Sequence, residues 1–435
     1  MQQADLEICL GESGVLVGML HYGAADGKEF SSFQYDPSWL ESKSAFALAP
    51  ALTLDSAKKH FSGERPFPPA LMDTMPDSWG QTVHRQNAKA TGSKQPLNSL
   101  FYLLAVSDAY RVGALRIRYS GEGAQFLAQG QKDMLDRLLD LEEFCDTVRN
   151  IESNTANEEI LRLFIDSGGS LGGARPKCSI LNDDNRLALA KFTSHRDTRA
   201  VERAEAGTLS LARLCGITAP DVRIVAGPKK LPIAVIERFD RMKENRRIPY
   251  ISAQSMLDSK TADDGTYTEI ADAIRANGAE PKSDLRNLFQ RILFTILVSN
   301  VDDHLKNHAF LYANNNKWSL SPIFDVNPFP ERAKRLKTAI ADQGKNEASV
   351  ELLLEFAFYF ELEKDEACKI AASMAKTVRD NWVRLCREFG MNGAEIGEYR
   401  PAFEHPESEY AEKLNNPRIF VEEPVEECSD DGPSP

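Results

Sequence analysis

Apolar and polar residues alternate through LEICL and VLVGMLHY, from Leu6 to Tyr22, on either side of the turn Gly11-Glu12-Ser13-Gly14. Successive side chains of a strand face opposite ways, so this stretch predicts a β-hairpin. Downstream, FQYDPSWLE, ERPFPP and MPDSWG mix aromatics with turn formers, FYLLAVSDAY reads as helical and RVGALRIRYS as strand-like. Leucines and isoleucines then recur at three- and four-residue steps from Leu135 to Phe164, the period of an amphipathic helix. A glycine-rich run, DSGGSLGGARPK, separates that helix from the strand CSIL, the turn Asn182 to Asn185 and the strand RLALAKF. A helix from about Thr198 to Cys215 leads to two further strands, DVRIVAG and LPIAVIERF. From Ser283 to Asn416 the chain reads as mainly helical, interrupted by the hairpin HAFLY–ANNNK–WSLSPIF. The reading is an α+β chain in four parts: an N-terminal α+β domain over 1–130, a strand-rich lobe over 131–240, a helical lobe over 241–415, and an acidic, disordered tail over 416–435. No internal repeat is visible.

With 435 residues, the chain is long enough for two or three domains and a sizeable core. Its 52 Lys and Arg against 65 Asp and Glu argue against a surface that grips nucleic acid by neutralising phosphates. The seven cysteines are dispersed, with no Cys-x-x-Cys pair, which suits a reducing cytosol. No signal-like start is present, and the most apolar run, ILFTILV, is too short to span a bilayer. A soluble, cytoplasmic protein is expected.

Chemistry concentrates in SNVDDHLKNHAFLYANNNKWSLSPIFD, from Ser299 to Asp325, directly after an apolar helix. Asp302 and Asn307 form an Asp-x-x-x-x-Asn pair, the spacing by which phosphotransferases of the protein-kinase type place a proton acceptor and a Mg²⁺ ligand. A hairpin returns its far end to its start, so Asp325 is expected beside them, and oxygen ligands gathered there call for a hard cation such as Mg²⁺. Upstream, Gly168, Gly169, Gly172 and Gly173 surround Ser170, either as a phosphate-approaching loop or as a linker. Lys191 ends a strand of small apolar residues and needs an anion; Glu205, or Glu202 on the same helix, is the candidate partner. PIAVIERFDR passes from an apolar strand into a polar turn, either as a buried strand with a charged exit or as a connection between two lobes whose backbone at Glu237, Arg238 and Phe239 meets an adenine edge. In order, these are the parts of a kinase: glycine loop, strand lysine, helix glutamate, linker strand, catalytic Asp with Asn, metal Asp.

These residues resemble the HipA-type serine/threonine kinases, toxins of bacterial toxin–antitoxin modules. SLGGARPKCSIL is similar to the family's glycine-rich loop, LAKF to its nucleotide lysine, VIERFDR to its interlobe strand, NVDDHLKN to its catalytic loop and LSPIFDV to its metal segment. FQYDPSWL, MPDSWG and RVGALR resemble its N-terminal subdomain. The resemblance implies a two-lobed kinase-like fold with Asp302 as proton acceptor, Asn307 and Asp325 as Mg²⁺ ligands and Lys191 on the phosphates. It further implies that Gly172, Gly173, Ala174, Arg175, Pro176 and Lys177 cover an ATP triphosphate, that Glu237 to Phe239 take the adenine, and that His304 and Lys306 lie near the phosphates. Ser170 matches the family's autophosphorylated serine.

The function expected is an ATP- and Mg²⁺-dependent protein kinase that acts on a component of the translation machinery, with a HipB-like DNA-binding antitoxin as partner, DNA met only through it, and no membrane contact. The resemblance points toward an aminoacyl-tRNA synthetase as substrate. Two alternatives remain: a kinase of a small molecule, and a non-catalytic corepressor. The N-terminal domain is expected to serve partner docking.

Overall fold

The computed structural model describes residues 2–121, 123–127, 141–158, 161–162, 165, 175–182, 184–227, 231–331, 335–342 and 344–414. The glycine-rich residues 166–174, Ser170 among them, and the tail from 415 onward lie outside these, as does much of the helix expected over 135–164; its described part is Leu141–Glu152.

The N-terminal region is built on an antiparallel sheet ordered β4-β3-β2-β1-β5. Its strands are β1 (Gln2–Leu10), β2 (Val15–Ala25), β3 (Lys28–Tyr35), β4 (Lys59–Ser62) and β5 (Leu115–Tyr119). The expected β1–β2 hairpin is present, in a register that opposes Leu6 to Leu20. A second hairpin follows at Asp26-Gly27, where both residues have positive φ (50° and 74°), the backbone a two-residue turn between twisted strands demands. Leu6, Ile8, Leu20 and Phe33 are fully buried against Phe67, Leu71 and Leu103.

The strand-rich lobe carries β6 (Lys177–Leu181), β7 (Leu187–Phe192), β8 (Val222–Ala226) and β9 (Pro232–Glu237), ordered β6-β7-β9-β8. The two-residue period of β7 sends Ala188, Ala190 and Phe192 into a core shared with Ile233, Val148 and Ile151, and with Trp79 and Val83 of the N-terminal helix Ser78–Ala90. Leu189 and Lys191 are left on the other face, toward the cleft. The helix expected near Thr198 to Cys215 runs over Val201–Leu214.

The helical lobe is organised around Pro281–Leu297, in which Leu285, Leu288, Phe289, Ile292 and Ile296 are wholly buried, and Lys364–Glu388, whose Trp382 stacks on Phe403 with ring centroids 4.6 Å apart. The expected hairpin forms β11 (Ala309–Asn314) and β12 (Lys317–Leu320), and an unforeseen β10 (Tyr250–Ser252) completes a three-stranded sheet. The expectation of mainly helical structure after Ser283 is corrected over 321–349. Among the described residues that stretch has no helix or strand, because Pro322, Pro328 and Pro330 interrupt any ladder. Among the described residues, no helix is long and apolar enough to cross a membrane.

Candidate active site

The helix Pro281–Leu297 is capped in the way its sequence requires. Ser299 takes a left-handed φ of 54°, Asn300 N–H returns to Thr295 O at 2.9 Å and Ser299 N–H to Ile296 O at 3.2 Å, a Schellman-type stop without the usual glycine. Ser299 Oγ donates to Ala402 O at 2.9 Å, which helps hold the turn, and the chain is thereby aimed across the cleft as the loop carrying Asp302.

That loop hangs on Asp303, whose importance the spacing argument missed. Its buried carboxylate accepts from Tyr267 Oη (2.6 Å), His308 Nε2 (2.9 Å) and Thr295 Oγ1 (3.4 Å), and its carbonyl from Thr338 Oγ1 (2.8 Å). Burial works against the charge, but His308 and these hydrogen bonds hold the Asp303 carboxyl below the usual range. The neighbouring Asp302 is exposed to the cleft. Partial desolvation, together with the nearby Asp325 and Asp263 charges, raises its pKa against the opposing pull of His304 and Lys337. Asn307 donates its amide to Asp302 O at 3.2 Å, which leaves its carbonyl oxygen as the end that can meet a cation.

Across the cleft, Lys191 Nζ donates to Glu205 Oε1 at 2.5 Å and Asp325 Oδ1 at 2.7 Å, so the strand lysine, the helix glutamate and the metal-segment aspartate converge. Burial opposes the ammonium, yet the two carboxylates outweigh it and lift the lysine above its ordinary pKa. Lys191 and Lys177 charges likewise overcome burial to hold Asp325 well below the carboxylate range. Asp325 has φ 55°, a conformation uncommon for a residue with a side chain, and Asn327 Nδ2 donates to its Oδ1 at 3.1 Å. Of the two glutamate candidates, Glu205 is the partner of Lys191, and Glu202 instead accepts from Arg175 at 2.5 Å.

Lys177 is the cross-strand neighbour of Lys191 and is 2% exposed. Like charges placed opposite one another repel, and among the described residues the Lys177 ammonium has no hydrogen-bond or ion-pair partner. Burial pushes its pKa down, with Asp325 opposing. An ammonium buried at the wall of a cavity can take an anion there.

Two connected cavities meet here. A narrow one of about 150 Å³ runs between Leu189, Leu209, Ile236 and Phe324, an apolar slot beside the interlobe turn. There the N–H of Glu237 is taken by Asp221 O (2.8 Å) and that of Arg238 by Leu187 O (3.1 Å), whereas that of Phe239 has no backbone acceptor among the described residues. A wider polar cavity of about 570 Å³ holds Asp302, Lys177, Arg175 and Asn327, and His304, Lys306, Lys191 and Asp325 border both. Asn307 and Asp325 together supply two oxygens, and no group of three His, Cys, Asp or Glu among the described residues could hold a metal unaided. This donor set fits Mg²⁺, which takes one or two protein oxygens and completes its shell with phosphates and water.

Three candidate residues that border these cavities have their side chains engaged by other protein groups. The Glu237 carboxylate pairs with Arg186. Arg175 is locked to Asp197 (2.6 and 2.5 Å) and Glu202 at the edge of the wide cavity. Arg238, 6% exposed, donates to Asp240 (2.9 and 2.6 Å), Tyr110 O (2.7 Å) and Arg111 O (3.4 Å). Arg241 adds bonds to Gly113 O (3.0 Å) and Arg111 O (2.7 Å), and Asp240 accepts from Gly113 N–H at 2.7 Å. The interlobe turn is thus bolted to the N-terminal region. That region also walls the cleft: Asp73 accepts from Ser252 N and Oγ, both at 2.7 Å, and Asp77 lies 3.5 Å from Lys306 of the Asp302 loop. MPDSWG carried the signal for this wall, but nothing local says what it faces.

The described architecture can be set against known proteins. A family model of the HipA N-terminal domain matches residues 6–118, and one of the HipA-like C-terminal domain matches residues 169–382. A protein of Haemophilus influenzae named "Putative kinase" is 26% identical over 187 residues, 38% of this chain and 54% of its own. "Putative kinase Y4mE" of Sinorhizobium fredii is 26% identical over 190 residues, 39% of this chain and 43% of its own. The alignments thus span about half the length of these curated relatives. HipA of Shewanella oneidensis, solved in a complex with HipB and its operator DNA, superposes with a TM-score of 0.66 at 16% identity, covering 94% of this chain and 96% of that one. Two successive family domains in the right order, on one two-lobed α+β kinase-like fold, place this chain in the HipA family.

Proposed function

We propose that the protein is an ATP- and Mg²⁺-dependent serine/threonine-protein kinase. The observation that carries this reading is the convergence on one cleft of Asp302, Asn307, Asp325, the Lys191–Glu205 pair and the buried Lys177, which has no partner among the described residues. In it, the base enters the apolar slot against Phe324 and Leu209, with the Phe239 N–H as donor to the base edge. Lys177 and Lys191 neutralise phosphate charge, and Asn307 and Asp325 hold the cation. Bound Mg²⁺ supplies charge neutralisation on the transferring phosphoryl group. Asp302 orients the acceptor hydroxyl and takes its proton, while Asp303 keeps Asp302 in place. Positioning and electrostatics supply most of the rate.

Ser170 is proposed as an autophosphorylation site, since a phosphate among backbone amides that cradle a triphosphate competes with ATP. As for the HipA solved with HipB and operator DNA, a HipB-like antitoxin is proposed as partner, within a toxin–antitoxin module. The formal charge of −13 favours DNA contact through that partner's surface. A component of the translation machinery, such as an aminoacyl-tRNA synthetase, is the proposed substrate. The test is transfer of label from γ-labelled ATP to lysate protein and to Ser170 by the parent and by Asp302→Asn. Equal transfer by the two proteins would sink the assignment.

A further inference from the structure

The narrow slot and the wide cavity share six bordering residues: Met75, Asp77, Lys191, His304, Lys306 and Asp325. A nucleotide with its base in the slot and its phosphates beside Lys177 and Lys191 must carry its sugar across that junction. Two of the six are carboxylates. Asp325 is held by Lys191 (2.7 Å) and Asn327 (3.1 Å). Asp77 comes from the N-terminal region, where it stands at the N-cap of the helix Ser78–Ala90. An N-cap aspartate ordinarily turns its side chain back to accept from the first N–H groups of its helix. Asp77 makes no such capping bond, and its Oδ1 lies 3.5 Å from Lys306 Nζ at the junction. Four residues upstream, Asp73 is bonded through both oxygens to Ser252, so the segment between the two aspartates is held to the helical lobe at both ends.

We propose that Asp77 reads the sugar of the nucleotide, its carboxylate accepting hydrogen bonds from the 2′- and 3′-hydroxyls of a ribonucleoside triphosphate. This rests on the kinase reading and adds to it the sugar selectivity and the element that supplies it. Vicinal hydroxyls offer two donors, and an ionised carboxylate has two oxygens that only accept. Such charge-assisted bonds are the strong ones, and a carboxylate on a ribose hydroxyl is the pairing that dinucleotide-binding folds use. The Lys306 ammonium beside Asp77 offsets the repulsion between its carboxylate and the triphosphate. Three parts of the chain then build one nucleotide site: the strand-rich lobe encloses the base, the helical lobe holds the cation, and the N-terminal region takes the sugar.

The experiment measures the affinity of the full chain for MgATP and for the magnesium complexes of 2′-deoxy-ATP and 3′-deoxy-ATP by calorimetry, in the parent, Asp77→Ala and Asp77→Asn. Asparagine keeps the volume and the capping ability at the helix start, so it serves should the alanine variant fail to fold. The parent is expected to bind ATP about ten- to a hundredfold more tightly than at least one deoxy analogue, as for a hydrogen bond to a charged group. Asp77→Ala should abolish that preference by weakening ATP while the disfavoured analogue loses little, and Asp77→Asn should lower it. Equal affinity of the parent for all three nucleotides overturns the proposal, as does a preference that the variants retain. Equal weakening of all three by Asp77→Ala also overturns it, because loss of the Lys306 pair alone gives that result. A parent that binds no MgATP removes the kinase reading itself, whereas one that binds MgATP and fails only the sugar comparison leaves that reading standing.

Discussion

Two clusters of buried charge flank the apolar slot, and they are finished to different degrees. At the interlobe turn, no side-chain atom of Arg238, Asp240 or Arg241 is buried without a partner among the described residues, and burial is overcome so fully that Asp240 lies far below the carboxylate range. At the Asp325 end of the cleft, Lys191 is saturated by two carboxylates while Lys177, just as buried, has none among the described residues. Burying a charge is costly unless it is paired, so a complete cluster reads as scaffold and an incomplete one as a place kept for a ligand.

Four changes test that contrast. The largest effect is expected from Asp302→Asn, which should lower phosphoryl transfer by about 10²- to 10⁴-fold, the worth of a placed general base, with the circular dichroism spectrum unchanged. Next, Asp240→Asn leaves two arginines buried beside a neutral group and should cost about 3–5 kcal/mol in denaturant unfolding; a loss below about 1 kcal/mol would show that the turn is not a scaffold. Lys177→Met should do the reverse, leaving the midpoint of unfolding the same or higher while weakening MgATP binding by about ten- to a hundredfold, as for the loss of a hydrogen bond to a charged group. The smallest effect separates the clusters by pH. Asp302 has a raised pKa, so its ionised, working form is lost as acid is added before an ordinary aspartate would be. Asp240 and Asp303 have depressed folded-state values, so the stability they contribute is present above their unfolded pKa and is lost only as pH falls through the folded one. Activity should therefore decline at a higher pH than these two clusters give way, which a pH–rate profile beside far-ultraviolet circular dichroism will show. Coincident decline would put the two carboxylate sets in the same environment.

What could be read from the sequence was what short range determines. The β1–β2 hairpin follows from alternation about a glycine turn, and the return of Asp325 to the catalytic loop follows from the hairpin between them. Lys191 and Glu205, only 14 residues apart, are joined by one strand and one helix. The unread parts depend on long separations. Arg238 meets Tyr110 across 128 positions and Ser252 meets Asp73 across 179, so neither partner is visible in the other's neighbourhood. Nothing in the tripeptide around Arg238 shows that its guanidinium goes to Asp240 and to the carbonyls of Tyr110 and Arg111. Asp303 was overshadowed by Asp302 for the opposite reason: adjacent aspartates are indistinguishable until one proves buried under a tyrosine, a histidine and a threonine.

The carbonyls of Tyr110, Arg111 and Gly113 grip the turn where a kinase of two freely jointed lobes would have its swivel. Fastening at that turn ties the strand-rich lobe to the N-terminal sheet, so the two are expected to travel as one body.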